Sequence, residues 1–123
     1  MILVDTSVWI DHLHRTEPAL QRLLGDDVVA THDGVIEEIA LGSIARRDVT
    51  LSLLGVLTRA PRLRHEELLS LVDRDRLWDR GLSVIDVQLL GSARLAGAAL
   101  WTRDKRLLAA AADLGVDVFD GSS

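Results

Sequence analysis

The sequence predicts an α/β fold in which a central parallel sheet lies between two layers of helices. Short apolar runs typical of buried strands alternate with longer segments of helical period, which is the pattern of βαβ units. Two of these runs, residues 2–5 and 98–101, bring acids and hydroxyls to a strand end. Because ligands bind beyond the carboxyl ends of parallel strands, we expect a functional site at that edge of the sheet.

The first half of the chain predicts two strands, at residues 2–5 and 28–30. Apolar side chains at helical spacing predict one helix over residues 8–13 and a second over residues 18–25, which has a proline in its first turn and a glycine at its end. Asp33 precedes another segment of helical period, and we expect it to cap that helix.

The second half begins with a helix that carries Leu51, Leu54 and Leu57 and is expected to end before Pro61. Leu63 is expected to mark a weak third strand. The remaining predicted elements are helices over residues 66–77, 84–96 and 104–114 and strands over residues 98–101 and 116–119. No linker or repeat interrupts the pattern, so residues 1–123 are predicted to form a single domain.

Composition excludes several classes of protein. The chain has 123 residues, 48% of them hydrophobic, which is enough for one core and argues against disorder. The absence of cysteine excludes disulfides and thiolate metal sites. No apolar run approaches the roughly 18 residues of a membrane span, and no basic segment of a signal peptide precedes the first strand. We therefore expect a cytoplasmic protein with no membrane contact.

The charge pattern limits the kinds of partner. A net charge of −5 argues against simple non-specific nucleic-acid binding, which depends on neutralising phosphates. Most positive residues are arginines in local groups, for which a solvated surface is the simplest interpretation. Arg103, Lys105 and Arg106 differ because they flank Asp104, and they are candidates for guiding a phosphate backbone.

Three of the acids each have two interpretations. Asp5 and Asp104 are placed either to cap the helix that begins beside them or to act as ligands at a strand end, and their shared location favours ligands. Asp86 completes a capping-box pattern with Ser83, so a structural role is the simpler interpretation for it. The start of that helix would nevertheless aim the Asp86 carboxylate at the same edge of the sheet.

Glu37 and Glu38 cannot be separated by periodicity, because the apolar stripe of their helix points midway between them. Gly42 lies one turn beyond Glu38 and leaves room for a close approach on that face, which favours Glu38. Carboxylates gathered in one pocket repel one another unless a cation is present. With oxygen ligands alone, Mg²⁺ or Mn²⁺ is favoured over Zn²⁺. The four histidines show no paired spacing that would change this expectation.

Four short motifs carry the acids. The opening ILVDTSVWI contains Asp5, Glu38 is followed four residues later by Gly42, Asp86 is followed by leucines and an alanine, and Thr102-Arg103-Asp104 follows a predicted strand. In this order the motifs resemble those of the PIN-domain ribonucleases, in particular the VapC toxins of bacterial toxin–antitoxin pairs. The resemblance spans nearly the whole chain, and it depends on the four motifs together.

The resemblance implies a three-layer α/β/α PIN fold and a toxic endoribonuclease that depends on Mg²⁺ or Mn²⁺ and cuts tRNA, rRNA or mRNA. Carried over by position, the catalytic acids and metal ligands are Asp5, Glu38, Asp86 and Asp104, and the residues that support them or contact substrate are Thr6, Ser7, Thr102 and Arg103. The resemblance also implies a cognate VapB-type antitoxin and a homodimer. Lys105 and Arg106 stand where some relatives carry a further acid, so a fifth ligand is not expected.

The main alternative is a non-catalytic PIN-fold protein that binds RNA or a protein partner, and the presence of all four acids argues against it. The chain has four aromatic residues, too few for a convincing base-stacking platform, and we expect its three tryptophans in the core or an interface. A haloacid-dehalogenase-like phosphatase needs a second aspartate where Ser7 stands, and a dinucleotide site needs a glycine fingerprint that this sequence lacks.

Overall fold

A four-stranded sheet forms the centre of the computed structural model, which describes residues 1–122. The strands are β1 (Ile2–Val4), β2 (Val29–Thr31), β3 (Thr58–Arg59) and β4 (Ala99–Trp101). They are all parallel and lie in the order β3-β2-β1-β4. The predicted α/β class is therefore confirmed.

Seven helices among residues 1–122 connect or follow the strands. They are α1 (Thr6–His14), α2 (Pro18–Gly25), α3 (Asp33–Leu41), α4 (Arg47–Val56), α5 (His65–Asp75), α6 (Val84–Ala96) and α7 (Lys105–Leu114). The prediction for α6 is confirmed at both ends, because Ser83 and Gly97 cap it. None of the helices in the described part of the chain combines the length and the apolar character that crossing a membrane requires.

The strand order places a topological switch between β1 and β4. From β1 the chain moves outward through β2 to β3, and then returns to add β4 on the other side of β1. In open α/β sheets, ligands bind beyond the carboxyl ends of the strands at such a switch. Leu3 in β1 and Leu100 in the edge strand β4 are fully buried, as expected for parallel strands covered by helices.

The third strand lies earlier than predicted, at Thr58–Arg59, and Leu63 lies outside any strand. Gln88 of α6 explains the difference, because its side-chain amide takes the place of a neighbouring strand. The Leu63 N–H donates to Gln88 Oε1 at 2.8 Å, and Gln88 Nε2 donates to the Leu63 carbonyl at 3.1 Å. The Leu63 side chain then packs against Gly91, where no side chain stands in its way.

The strand predicted over residues 116–119 is reduced to an isolated parallel bridge between Leu100 and Val118. Phe119 packs edge-on against Trp101, with ring centroids 4.9 Å apart. The chain turns immediately afterwards, because Gly121 has a φ of 87° and the Asp120 carboxylate accepts the Ser122 N–H at 2.9 Å. The extended segment therefore ends at this turn.

The cap of α3 is His32 and not Asp33. His32 Nδ1 accepts the Gly34 N–H at 2.8 Å, and the imidazole is buried. Asp33 is the first residue of the helix, and its carboxylate pairs with Arg59 of β3 at 3.0 Å. A histidine is not among the favoured capping residues, so the local sequence did not indicate it.

Candidate functional site

The predicted site residues begin where β1 and β4 end, at the switch in the sheet. Asp5 directly follows β1, and its N–H donates to the Trp101 carbonyl at 2.9 Å. Thr102, Arg103 and Asp104 directly follow β4. The two strand ends therefore lie side by side, with an acid on each.

Asp5 is 5% exposed and lies at the centre of a hydrogen-bond network. Its Oδ2 accepts the Ser7 hydroxyl at 2.8 Å and the Thr102 hydroxyl at 2.6 Å. The Thr102 hydroxyl oxygen in turn accepts the Asp104 N–H at 3.1 Å. Asp5 stands at the N-cap position of α1, but its carboxylate makes no capping hydrogen bond. The side-chain oxygens of Asp5 therefore bind the hydroxyls of the site and do not cap α1.

The structure separates the two glutamates that periodicity left equivalent. Glu38 Oε1 accepts the Thr6 hydroxyl at 2.7 Å, which holds this carboxylate against the start of α1 beside Asp5. Glu37 faces the other way and pairs with Arg62 at 3.4 Å on the surface. The structure thus brings Glu38 to the strand ends and leaves Glu37 outside.

Asp86 is half-buried at the start of α6. The predicted capping box is present, since Asp86 Oδ2 accepts the Ser83 N–H at 2.9 Å and the Ser83 hydroxyl accepts the Asp86 N–H at 3.0 Å. Burial raises the pKa of the Asp86 carboxyl, and the negative charges of Asp5 and Asp104 raise it further. Asp86 therefore lies close enough to Asp5 and Asp104 for their charges to act on it, while it also forms the capping box of α6.

Asp104 caps α7, and Oδ1 of its exposed carboxylate accepts the N–H groups of Arg106 at 2.9 Å and Leu107 at 3.4 Å. The interpretation of Asp104 as a helix cap is therefore confirmed. The cap uses only Oδ1, and Oδ2 accepts no hydrogen bond from residues 1–122.

The side chain of Arg103 points away from the four predicted metal ligands and toward two other carboxylates. Its guanidinium pairs with Asp11 of α1 and with Glu17, just before α2, and lies 5.9 Å from the centroid of the Trp101 ring. Hydrogen bonds to the two carboxylates raise its pKa. Its N–H also donates to the Ser7 hydroxyl at 3.1 Å. This position fits a clamp on the loop better than a phosphate contact, and no local sequence pattern linked Arg103 to Asp11 and Glu17.

The acids suit a hard divalent cation by their chemistry, although their carboxylates do not converge on a single point. Within residues 1–122, no three histidine or carboxylate side chains meet the geometry of a metal site. Asp86 and Asp104 are engaged by helix N–H groups and Glu38 by the Thr6 hydroxyl. Burial is the main cause of the raised pKa of Asp86 and repulsion from Asp5 and Asp104 adds to it; a cation between the acids would relieve this repulsion. The oxygen-only donor set therefore fits Mg²⁺ or Mn²⁺.

Comparisons with known proteins identify the family of this chain. The PIN domain family matches residues 2–113. Ribonuclease VapC32 of two Mycobacterium tuberculosis strains is 59% identical over 117 residues, which cover 94% of this chain and 94% of each relative.

Two crystal structures share the fold. PAE2754 from Pyrobaculum aerophilum has a TM-score of 0.62 and 21% identity, covering 89% of this chain and 83% of the other. FitAcB from Neisseria gonorrhoeae has a TM-score of 0.63 and 20% identity, covering 98% of both chains. The chain therefore belongs to the PIN-domain family, and within it to the VapC-type ribonucleases.

Proposed function

We propose that this protein is a toxin endoribonuclease that hydrolyses phosphodiester bonds in RNA with the help of Mg²⁺ or Mn²⁺. The observation that carries the proposal is the buried Asp5 carboxylate, held by Ser7 and Thr102 between the ends of β1 and β4. The 59% identity to a ribonuclease across nearly the whole chain also supports the proposal.

The residues that would hold the cation are Asp5, Glu38, Asp86 and Asp104. A bound Mg²⁺ or Mn²⁺ lowers the pKa of a water molecule and offsets the negative charge that develops on the phosphate oxygens. The hydroxyls of Ser7 and Thr102 fix the direction of the Asp5 carboxylate, because both donate to Oδ2. Thr6 does the same for Glu38.

RNA is the proposed substrate, in the form of tRNA, rRNA or mRNA, and we place the protein in the cytoplasm where these RNAs occur. Arg103 is committed to Asp11 and Glu17, so it orders the loop after β4. Lys105 and Arg106 are exposed beside Asp104 and form no ion pair within residues 1–122. These two side chains are therefore placed to attract the RNA backbone to an acidic protein.

The proposed protein partners are a VapB-type antitoxin and a second copy of the chain. Surfaces suited to such contacts exist at α4, where Val49, Leu53 and Val56 share one helix face and are 57%, 44% and 80% exposed, and at Leu41, which is 90% exposed. Copurification with the product of a neighbouring small gene and sedimentation of the purified chain test the two partners separately.

The function is tested by sequencing RNA ends after induction of the wild type and of Asp5→Asn in the same cells. Asparagine keeps an oxygen that accepts from Ser7 and Thr102, so the fold is retained while the charge is lost. New RNA ends and growth arrest only with the wild type are expected. Calorimetry in which Mn²⁺ does not bind, together with equal RNA ends in both strains, would support the non-catalytic alternative instead.

A further inference from the structure

One tryptophan lies on the surface. Trp9 and Trp101 are 1% and 2% exposed in the core, whereas Trp78, between α5 and α6, is 58% exposed. An exposed indole leaves a large apolar face in water, which carries a cost unless the face has a partner. Trp78 is the only strongly exposed aromatic side chain among residues 1–122.

The segment that presents Trp78 is fixed in place. Arg76, Asp79 and Gly81 adopt left-handed backbone conformations, with φ values of 52°, 60° and 72°. Non-glycine residues reach this region at a cost that the surrounding structure must offset, and such strain often occurs at functional sites. Leu77 anchors one side of Trp78 in the core at 3% exposure, and Arg80 anchors the other through an ion pair with Asp113 at 2.9 Å.

This segment lies beside the acidic edge. A Cβ atom at Gly81 would stand 2.7 Å from Nη1 of Arg106, so the Arg106 guanidinium lies directly on the Gly81 backbone. The Arg106 N–H is the group that donates to Asp104 at 2.9 Å. Three residues of chain span at most roughly 11 Å, which bounds the distance between the Cα atoms of Trp78 and Gly81. The segment that carries Trp78 thus contacts the start of α7, the helix that Asp104 caps.

The charges around this segment favour an anion. Arg76, Lys105 and Arg106 are exposed, and none of them forms an ion pair in the part of the chain that the structure describes. Arg76 lies two residues before Trp78, Arg106 contacts the same segment at Gly81, and Lys105 directly precedes Arg106, whereas Asp79 is the one carboxylate next to Trp78 in the sequence. Cations together with an exposed aromatic side chain are typical of surfaces that bind single-stranded nucleic acid.

We infer that Trp78 stacks on an unpaired base of the RNA next to the scissile phosphate, while Arg76, Lys105 and Arg106 contact the adjoining phosphates. Stacking needs the open face of a base, so the inference restricts the substrate to a single-stranded loop or end and excludes a continuous duplex. It rests on the proposed ribonuclease function and adds a residue that binds the RNA outside the four acids.

Binding is measured apart from cleavage by titrating the protein with a short single-stranded oligoribonucleotide in EDTA and following tryptophan fluorescence. Because Trp9 and Trp101 are buried, quenching by RNA reports on Trp78. Trp78→Ala is expected to weaken binding roughly five-fold or more, as for other stacked bases, and Trp78→Phe to retain most of it. A duplex of the same sequence is expected to bind wild type and Trp78→Ala equally.

Leu95→Ala is the matched control for the indole, because Leu95 is 59% exposed at the far end of α6 from Asp86. Arg22→Ala on α2 is the control for Arg106→Ala. Removing one phosphate contact is expected to lower the slope of log affinity against log salt by roughly 0.7. Arg106→Ala should show this change, and Arg22→Ala should keep the slope of the wild type.

Equal single-strand affinity of wild type and Trp78→Ala would overturn the inference. A changed sedimentation mass of Trp78→Ala with unchanged RNA affinity would also overturn it, and would assign Trp78 to a contact between protein chains. If the wild type cleaves RNA and Trp78→Ala binds as tightly, the inference fails alone. If Trp78-dependent binding occurs but no RNA is cut, the ribonuclease function fails and the stacking contact stands.

Discussion

Thr102 donates its hydroxyl hydrogen to Oδ2 of Asp5 at 2.6 Å, although 97 positions separate the two residues. This bond joins the end of β4 to the end of β1, across the switch in the sheet order. The same hydroxyl oxygen accepts the Asp104 N–H at 3.1 Å, so one side chain sets the positions of two acids.

Thr102→Val is therefore expected to impair the fold and the site together. A hydrogen bond to a charged group contributes about 1.5–3 kcal/mol, and valine leaves the buried Asp5 carboxylate with one donor fewer. Urea unfolding should show a loss of that size, and RNA cleavage should fall. Thr102→Ser, which keeps the hydroxyl, should retain most of both. A valine variant with the stability and activity of the wild type would show that the bond has no such role.

Glu38 and Glu37 provide a matched pair for testing which glutamate serves the site. Glu38→Gln removes the charge that Thr6 holds beside Asp5, so Mn²⁺ affinity and cleavage rate are expected to fall by roughly an order of magnitude or more, as for loss of a group that supports a metal site. Glu37→Gln breaks only the exposed contact with Arg62, which contributes roughly 0–1 kcal/mol. Calorimetry with Mn²⁺ and RNA cleavage measure both variants, and equal losses in the pair would contradict the assignment.

Arg103 is expected to act as a clamp rather than as a phosphate contact. Its ion pairs with Asp11 and Glu17 are partly exposed, so Arg103→Ala should cost no more than about 1 kcal/mol per pair. Its effect on catalysis should appear in kcat, because the loop that carries Asp104 becomes looser, while the salt dependence of RNA binding stays unchanged. Lys105→Ala, as the control, should reduce the salt dependence and leave kcat close to the wild type. If Arg103→Ala reduced the salt dependence of RNA binding and left kcat unchanged, Arg103 would instead be a phosphate contact.

The class of the fold follows from local pattern, because buried strands and amphipathic helices differ in period and the strand ends carry their acids with them. The boundaries of α6 were also predictable, since Ser83 and Gly97 act on neighbouring backbone groups. Leu63 could not be placed by such reasoning. Its backbone partner is the side chain of Gln88, 25 residues later, and hydrophobic periodicity carries no signal for that contact.

Local sequence pattern likewise predicts some acids of the candidate site, whereas the placement of others depends on contacts with distant residues. Asp5 and Asp104 could be predicted as site residues because each follows an apolar run. Glu38 differs from Glu37 only through Thr6 and Arg62, which lie on other elements, so helix periodicity alone could not choose between them. The direction of Arg103 likewise depends on carboxylates more than 80 positions earlier.

His32 predicts how stability depends on pH. Burial lowers the pKa of the imidazole below 6.5, and Arg62 acts in the same direction, while Gln88, Asp33 and Glu37 oppose the shift. The unfolded chain therefore takes up a proton at a higher pH than the folded chain does. The stabilisation from neutral His32 is complete above about pH 6.5 and declines as the pH falls toward the lower pKa of the folded state.

Protonation would also remove the Nδ1 lone pair that caps α3, the helix that carries Glu38. His32→Asn keeps an acceptor suited to the cap and does not titrate, so its unfolding free energy should change less between pH 7.5 and pH 5.5 than that of the wild type. His14→Asn, at an exposed histidine on α1, serves as the control and should follow the wild type. Urea denaturation at several pH values measures all three proteins. If the wild type and His32→Asn lose stability in parallel, another group accounts for the acid sensitivity.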